Sequence, residues 1–266
     1  MTHSDTWQHD VSRSDHLAES LLSAQGLLVG FDFDGTLSPI VDDPDNAILP
    51  DAVEHSVRTL ARRDNVRVAI VSGRELTDLV ERINISDIIY AGNHGLELYR
   101  DGEHTVQGVT EQHLSSLHAI RTDLRSKVTD IPGCHIEDKE LSITVHVRQA
   151  EPDHVEEVRD SVVETTTETP DVHLTTGRQV FEIRPSVDHD KGTTMELLEN
   201  EIPAEWLTLY LGDDVTDEDA FEAIQPDGVG IHVGANTNTA AEYLIPNHQD
   251  VSVFLNWLTD TAVDND

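Results

Sequence analysis

GLLVGFDFDGT, residues 26–36, is an uncharged apolar run that breaks abruptly into two aspartates, a glycine and a threonine. Six such residues with no charge among them predict a strand buried on both faces, as a parallel sheet requires. Asp32 and Asp34 then stand at the carboxyl end of that strand, where open α/β sheets place their ligands. A two-residue period puts both on one face, so both address one site. Gly35 lets the backbone come close to an anion. The plain alternative is an acidic turn that only ends the strand.

Outward from this stretch, similar runs recur at VRVAIV (66–71), DIIYAG (87–92), WLTLYLG (206–212) and GVGIHVG (228–234). A helix opens at Pro50-Asp51 with Val53, Val57 and Leu60 on one stripe. Further helices are expected after Ser72, after Lys191, from Thr216 and over VSVFLNWL (251–258). This alternation predicts an α/β fold, a parallel sheet covered by helices. Residues 107–186 break the pattern. They read as a helix (111–128), a hairpin within HIEDKELSITVHVR (135–148), a helix (151–166) and a hairpin turned near Thr176-Gly177. The expected organisation is an N-terminal extension over 1–25, with a loose start and a helix at 13–24, followed by a core formed by 26–106 and 187–266. The core is interrupted by an α+β insert over 107–186, with hinges near 105 and 186.

The 266 residues carry 52 acids against 17 Lys and Arg, a formal net charge of −35. Hydrophobic residues still make up 37%, enough for a packed core rather than a disordered acidic chain. So negative a surface repels polyphosphates and anionic lipids, so neither a nucleic-acid nor a membrane partner is expected. No apolar run reaches the roughly 18 residues that span a bilayer. The start, MTHSDTWQHDVSRSDH, lacks the basic and apolar regions of a signal peptide. Cys134 is the single cysteine, in keeping with a reducing compartment, so a cytoplasmic location is expected. Only Lys127, Lys139 and Lys191 are lysines. An acidic, lysine-poor surface resembles that of proteins from salt-accumulating halophiles, where self-repulsion is screened. An acidic interaction surface is the other reading.

The chain has no GxxxxGK[ST] loop, GxSxG elbow, CxxC or HExxH. Its chemistry-bearing residues lie instead at strand ends. Asp213-Asp214 follows the strand WLTLYLG, and two carboxylate sets at strand ends suit a magnesium ion, which takes oxygen ligands. Ser72-Gly73-Arg74 ends another strand, offering a hydroxyl and free N–H groups to a phosphate, or simply capping a helix. Lys191-Gly192 opens a helix with one of only three lysines.

Taken in order, strand-DFDGT, strand-SGR, KG and strand-GDD resemble the four motifs of the haloacid dehalogenase superfamily. The resemblance implies a Rossmann-like parallel sheet core with an inserted α+β cap. It implies Asp32 as nucleophile, Asp34 as general acid/base, and Ser72 and Lys191 on the phosphoryl oxygens. Mg2+ would be held by Asp32, Asp34 through its carbonyl and Asp213, with Asp214 and Asp217 in support. A desolvated Asp34 beside other carboxylates is expected to have a raised pKa. IEDKELSITVHVRQAE (136–151), GRQVFEIRP (177–185), AGNHGLE (91–97) and GDDVTDEDAF (212–221) are similar to elements of the trehalose-6-phosphate phosphatases. That likeness, over residues 26 to 258, implies a small-molecule sugar phosphate as substrate. It implies substrate contacts from Gly73, Arg74, Asn93, His94, Glu137, Lys139, His146, Arg148, Arg178 and Glu182. Arg178 and Arg184 stand where relatives often carry lysine, and the two cations are not equivalent in geometry. The carboxylates, amides and cations are those that grip sugar hydroxyls. Ordinary readings are exposed hairpin charges, or a cross-strand pair of Glu137 with Lys139 or Arg148. A monomer, functionally coupled to a trehalose-phosphate synthase, is the expected state. The rival readings are a phosphatase of the same type for a sucrose- or glycosylglycerate-type phosphate, and a non-catalytic sugar-phosphate sensor.

Overall fold

In the computed structural model, the described residues are 9–10, 15–41, 43–177 and 179–261. The chain divides into two compact units, Met1–Thr105 with His189–Asp266, and Val106–Asp188. The proposed loose start (residues 1–8 and 11–14) lies outside the described residues; the helix expected at 13–24 is α1 (Asp15–Ser23).

The first unit is built on one sheet. Its central strands are β2 (Gly26–Phe31), β3 (Val66–Val71), β4 (Ile89–Gly92), β11 (Trp206–Gly212), β12 (Val229–Val233) and β13 (Tyr243–Ile245). All six run parallel, in the spatial order β13-β12-β11-β2-β3-β4. The short β1 (His9–Asp10) extends the sheet beyond β13. At the other edge, β5 (Glu97–Arg100) pairs antiparallel with β4, and β6 (Glu103–Val106) follows it. This edge hairpin was not expected from the sequence; β6 is fully exposed, so it carries no apolar pattern to read.

Alternation within the buried strands supplies both faces of the sheet with apolar groups. Leu27, Val29 and Phe31 of β2 join a core with α2 (Asp51–Ala61), α3 (Leu76–Ile83) and α8 (His248–Thr261). Leu28 faces the other way, onto Met195 and Leu198 of α6 (Lys191–Glu199) and Phe221 of α7 (Glu218–Ala223). Truncating one of these side chains to alanine costs about 2–5 kcal/mol. The strand order reverses between β2 and β11: the chain proceeds from β2 outward through β3 and β4, but from β11 outward on the opposite side. A crevice at the carboxyl ends of the strands belongs at that switch point.

The second unit is a four-stranded antiparallel sheet, β7 (His135–Asp138), β8 (Ile143–His146), β10 (Val180–Pro185) and β9 (Val172–Thr176), in that spatial order. The two helices are α4 (Glu111–Val128) and α5 (Pro152–Thr167). Strand periodicity sorts its residues cleanly. Ile143, Val145, Phe181 and Ile183 pack with Leu117, Ile120, Leu124, Val158 and Val162 of the helices. The alternate positions form a polar face.

Candidate active site

Because β2, β3, β4 and β11 are parallel, Asp32, Ser72, Asn93 and Asp213 emerge from one edge of the sheet. Lys191 reaches the same place from the first position of α6. That helix begins there because Asp190 and Thr193 form a reciprocal capping box: the Asp190 carboxylate accepts the Thr193 N–H at 2.8 Å and Thr193 Oγ1 accepts the Asp190 N–H at 2.8 Å. Gly192 follows because α6 runs tightly against α7; a Cβ there would lie 2.5 Å from the Asp219 carbonyl oxygen.

Lys191 is 3% exposed and donates to Asp32 Oδ1 and to Asp217 Oδ1, each at 2.8 Å. Burial opposes its charge, but the two carboxylates outweigh burial and keep the ammonium protonated. The Asp32 carboxyl is pushed well up by burial and by Asp217 and Asp213, with Lys191 pulling the other way. Burial, then Asp217 and Asp214, raise the Asp213 carboxyl to about 7. Its hydroxyl partner is Thr36, whose Oγ1 lies 3.4 Å from Asp213 Oδ1. Gly35, at φ +91°, makes room for this carboxylate: a Cβ would meet Asp213 Oδ2 at 2.0 Å.

Asp32, Asp213 and Asp217 can bring one oxygen each within 4.8 Å of one another. Asp217 is already saturated, however. Its Oδ1 accepts from Lys191 and from Tyr210 Oη at 2.7 Å, and its Oδ2 accepts the Asp213 and Asp214 N–H groups at 3.0 Å each. A carboxylate has about four lone-pair sites, and all four are used. Asp217 therefore braces the site, and Asp32 and Asp213 are the pair that could hold a cation. Three buried or half-buried carboxylates against one lysine leave an excess of negative charge, and an oxygen-only donor set fits Mg2+.

Asp34 lies elsewhere. β2 ends at Phe31, so the two-residue period stops before the aspartates, and their side chains part. Asp32 turns to Lys191, whereas Asp34 is gripped by Arg74, with Nε to Oδ2 and Nη2 to Oδ1 both at 2.7 Å. The crowding by carboxylates expected around Asp34 is not found; its neighbour is the Arg74 guanidinium. Ser72 is buried, but it does not cap α3, whose N-cap is Glu75. Its Oγ accepts the Arg74 N–H at 3.2 Å. Asn93 and His94 are consecutive left-handed residues, at φ 48° and 58°. Such conformations cost about 1–3 kcal/mol each and persist only where the surroundings enforce them. Here the His94 N–H donates to the Ser72 carbonyl at 2.9 Å and the Asn93 N–H to the Arg74 carbonyl at 2.7 Å. Asn93 also donates through Nδ2 to the buried Glu97, and His104 meets the other Glu97 oxygen at 3.2 Å. A Cβ on Gly73 would lie 2.6 Å from His94 Nε2, so the ring sits directly over that glycine.

In the second unit, Glu137 and Glu182 flank Thr144 across the sheet, and His146 lies on the same polar face. His146 Nε2 is 2.8 Å from Glu137 Oε2, and Lys139 Nζ is 3.7 Å from Glu137 Oε1. The hydrogen bond from His146 holds the Glu137 carboxyl below its usual range. Arg184 adds a cation 3.9 Å from Glu182. Arg148 is exposed in the turn after β8, and Arg178 lies outside the described residues. The structure thus gathers Glu137, Lys139, His146 and Glu182, and separately Asp32, Asp213, Asp214, Asp217 and Lys191, with Ser72, Gly73, Arg74, Asn93 and His94 on adjoining loops. Sequence reasoning missed Thr36, Asp78, Glu97 and Tyr210. Of these, Asp78 carried a signal, four residues after Arg74 on a predicted helix, and Thr36 and Glu97 stand within quoted motifs without an assigned role.

A family model described as trehalose-phosphatase matches residues 30–250. The trehalose-phosphate phosphatase of Mycobacterium marinum is 39% identical over 235 residues, covering 85% of this chain and 60% of the relative. That of Mycobacterium tuberculosis is 40% identical over 222 residues, with 82% and 56% covered. The chain thus spans 56–60% of the length of these curated relatives. Among solved structures, a trehalose-6-phosphate phosphatase related protein is 26% identical, with a TM-score of 0.79 over 90% of this chain and all of the other. The C-terminal domain of the C. albicans trehalose-6-phosphate phosphatase has the same fold, with a TM-score of 0.78 at 24% identity, covering 97% and 99%. The strand-end aspartates, the buried lysine and these likenesses agree: the chain belongs to the trehalose-phosphatase family.

Proposed function

We propose that this chain is a Mg2+-dependent phosphomonoesterase that converts trehalose 6-phosphate to trehalose through a phosphorylated Asp32. The observation that carries the reading is the buried Lys191–Asp32 pair beside Asp213, at the switch point of the sheet. Asp32 Oδ attacks phosphorus and the bond from phosphorus to the sugar oxygen breaks, with Asp34 giving its proton to the departing alkoxide. Asp34 then takes a proton from water as the water oxygen attacks the aspartyl phosphate. The bond from Asp32 to phosphorus breaks, returning the carboxylate and inorganic phosphate. Lys191 and the Ser72 hydroxyl hold phosphoryl oxygens, and the turn at 93–94 sets the Ser72 loop in place. Mg2+ would be held by Asp32, Asp213 and the Asp34 carbonyl; when bound it supplies charge neutralisation at the phosphoryl group. Asp217 and Asp214 keep this set aligned.

Residues 107–186 are the specificity cap of this reading, with Glu137, Lys139, His146, Arg148, Arg178 and Glu182 on the sugar hydroxyls. The substrate implies coupling to a trehalose-phosphate synthase, and the protein is taken to act as a cytoplasmic monomer adapted to salt. The test is a phosphate-release screen over sugar phosphates with Mg2+ or with chelator. Selective, Mg2+-requiring release from trehalose 6-phosphate is expected. Equal rates on every sugar phosphate, or undiminished rates in chelator, would refute it.

A further inference from the structure

Arg74 has an arrangement that a substrate contact does not account for. Its guanidinium has five N–H groups, and four are committed within the chain. Two go to Asp34, one from Nη1 to Asp78 Oδ2 at 2.8 Å, and one from Nη2 to the Pro44 carbonyl at 2.8 Å. The same group lies 5.4 Å from the centroid of the buried Phe33 ring, so its plane is held by the residue next to Asp34 as well. The Arg74 side chain is 10% exposed, against 42% for Asp34. Behind it, Asp78 is fixed in turn by Arg82 Nε at 2.7 Å, and Arg82 also donates to the Asp45 and Ala47 carbonyls. The ladder Asp34–Arg74–Asp78–Arg82 therefore ties a half-exposed carboxylate to α3 and to the 44–47 turn.

We infer that Arg74 is a positioning residue: its two parallel bonds fix the rotamer of Asp34 for proton transfer, rather than binding the phosphoryl group or the sugar. A two-bond fork specifies both the place and the plane of a carboxylate, which a single contact does not. An unclamped Asp34 would be free to turn into solvent, and misplacement of about 1 Å costs on the order of 100-fold in rate. The inference rests on the reading of Asp34 as the group that moves the proton.

The experiment compares Arg74→Ala and Arg74→Lys with the wild type in steady-state kinetics on trehalose 6-phosphate, with melting curves to show that each variant is folded. The Ala variant is expected to lose about 100-fold in kcat with KM within about twofold. The Lys variant, which keeps the charge but not the fork, is expected to stay at least roughly tenfold below the wild type in kcat. In an Asp34→Asn background, which permits titration of the substrate without turnover, adding Arg74→Ala should leave Kd within about twofold. A folded Ala variant with wild-type kcat, full recovery by Lys, or a roughly tenfold weaker Kd would each overturn the inference. If the wild type does not hydrolyse trehalose 6-phosphate, the substrate reading has failed, and the same kcat comparison on an aryl phosphate still decides the role of Arg74.

Discussion

Asp217 shows why an acidic residue cannot be assigned from its neighbours in sequence. Five of the seven residues in DDVTDED (213–219) are acids, yet only Asp217 is wholly buried and takes four hydrogen bonds. Tyr210 reads in sequence as one more core aromatic of β11, but its hydroxyl points at that carboxylate. A hydrogen bond to a charged group contributes about 1.5–3 kcal/mol, so Tyr210→Phe should lower stability by that amount in denaturant melts. An unchanged midpoint would show that the bond contributes nothing. Asp217→Asn removes one partner of a buried lysine and should cost about 3–5 kcal/mol. The same variant should weaken Mg2+ binding, because the Asp213 and Asp214 N–H groups exchange a charged acceptor for a neutral one; calorimetric titration measures this.

At the scale of elements, the loops leaving the parallel strands hold the proposed site, and α3 is tied to them by charge. Asp78 is held below the usual carboxylate range by hydrogen bonds from Arg82 and Arg74, which outweigh its burial. A depressed folded pKa stabilises above the unfolded value near 3.9. That contribution is lost as pH falls through the folded value. Asp78→Asn should therefore flatten the decline of Tm below about pH 4 relative to wild type; an identical decline would contradict the ladder. On the polar face of the second sheet, Lys139→Ala should raise KM for trehalose 6-phosphate and spare that for an aryl phosphate. Equal effects on both would count against sugar recognition there.

The elements differ in how far they could be read beforehand. β2, β3 and β11 are uninterrupted or nearly uninterrupted apolar runs, and the helices at 51–61 and 111–128 have clear starts, so their sequence pattern suffices. The 97–106 hairpin is a mixed edge, and α3 starts at Leu76 rather than at Ser72 because residues 72–74 are held by Asp34 and the 93–94 turn. Lys191 stood out as a rare lysine. The pairing of Arg74 with Asp34 did not, because a contact across 40 residues depends on the fold.

For the whole molecule, the net charge of −35 is a property of the surface, since only nine of the 52 acids have roles at the site, the seven expected from sequence together with Asp78 and Glu97. Self-repulsion of such a surface is relieved as the Debye length falls to about 3 Å at 1 M salt. Tm should therefore climb steadily from low to molar salt in circular dichroism melts, and a flat response would refute adaptation to salt. In the proposed reaction, the buried Lys191 ammonium and a cation held on carboxylate oxygens would let a phosphate dianion approach Asp32 within that acidic surface. The most direct test is rapid acid quench of wild-type and Asp32→Asn protein mixed with Mg2+ and trehalose 6-phosphate carrying a radiolabelled phosphoryl group. Label on the wild-type protein at Asp32, with neither label nor phosphate release in the variant, is the predicted result; phosphate release by Asp32→Asn at the wild-type rate would contradict the account.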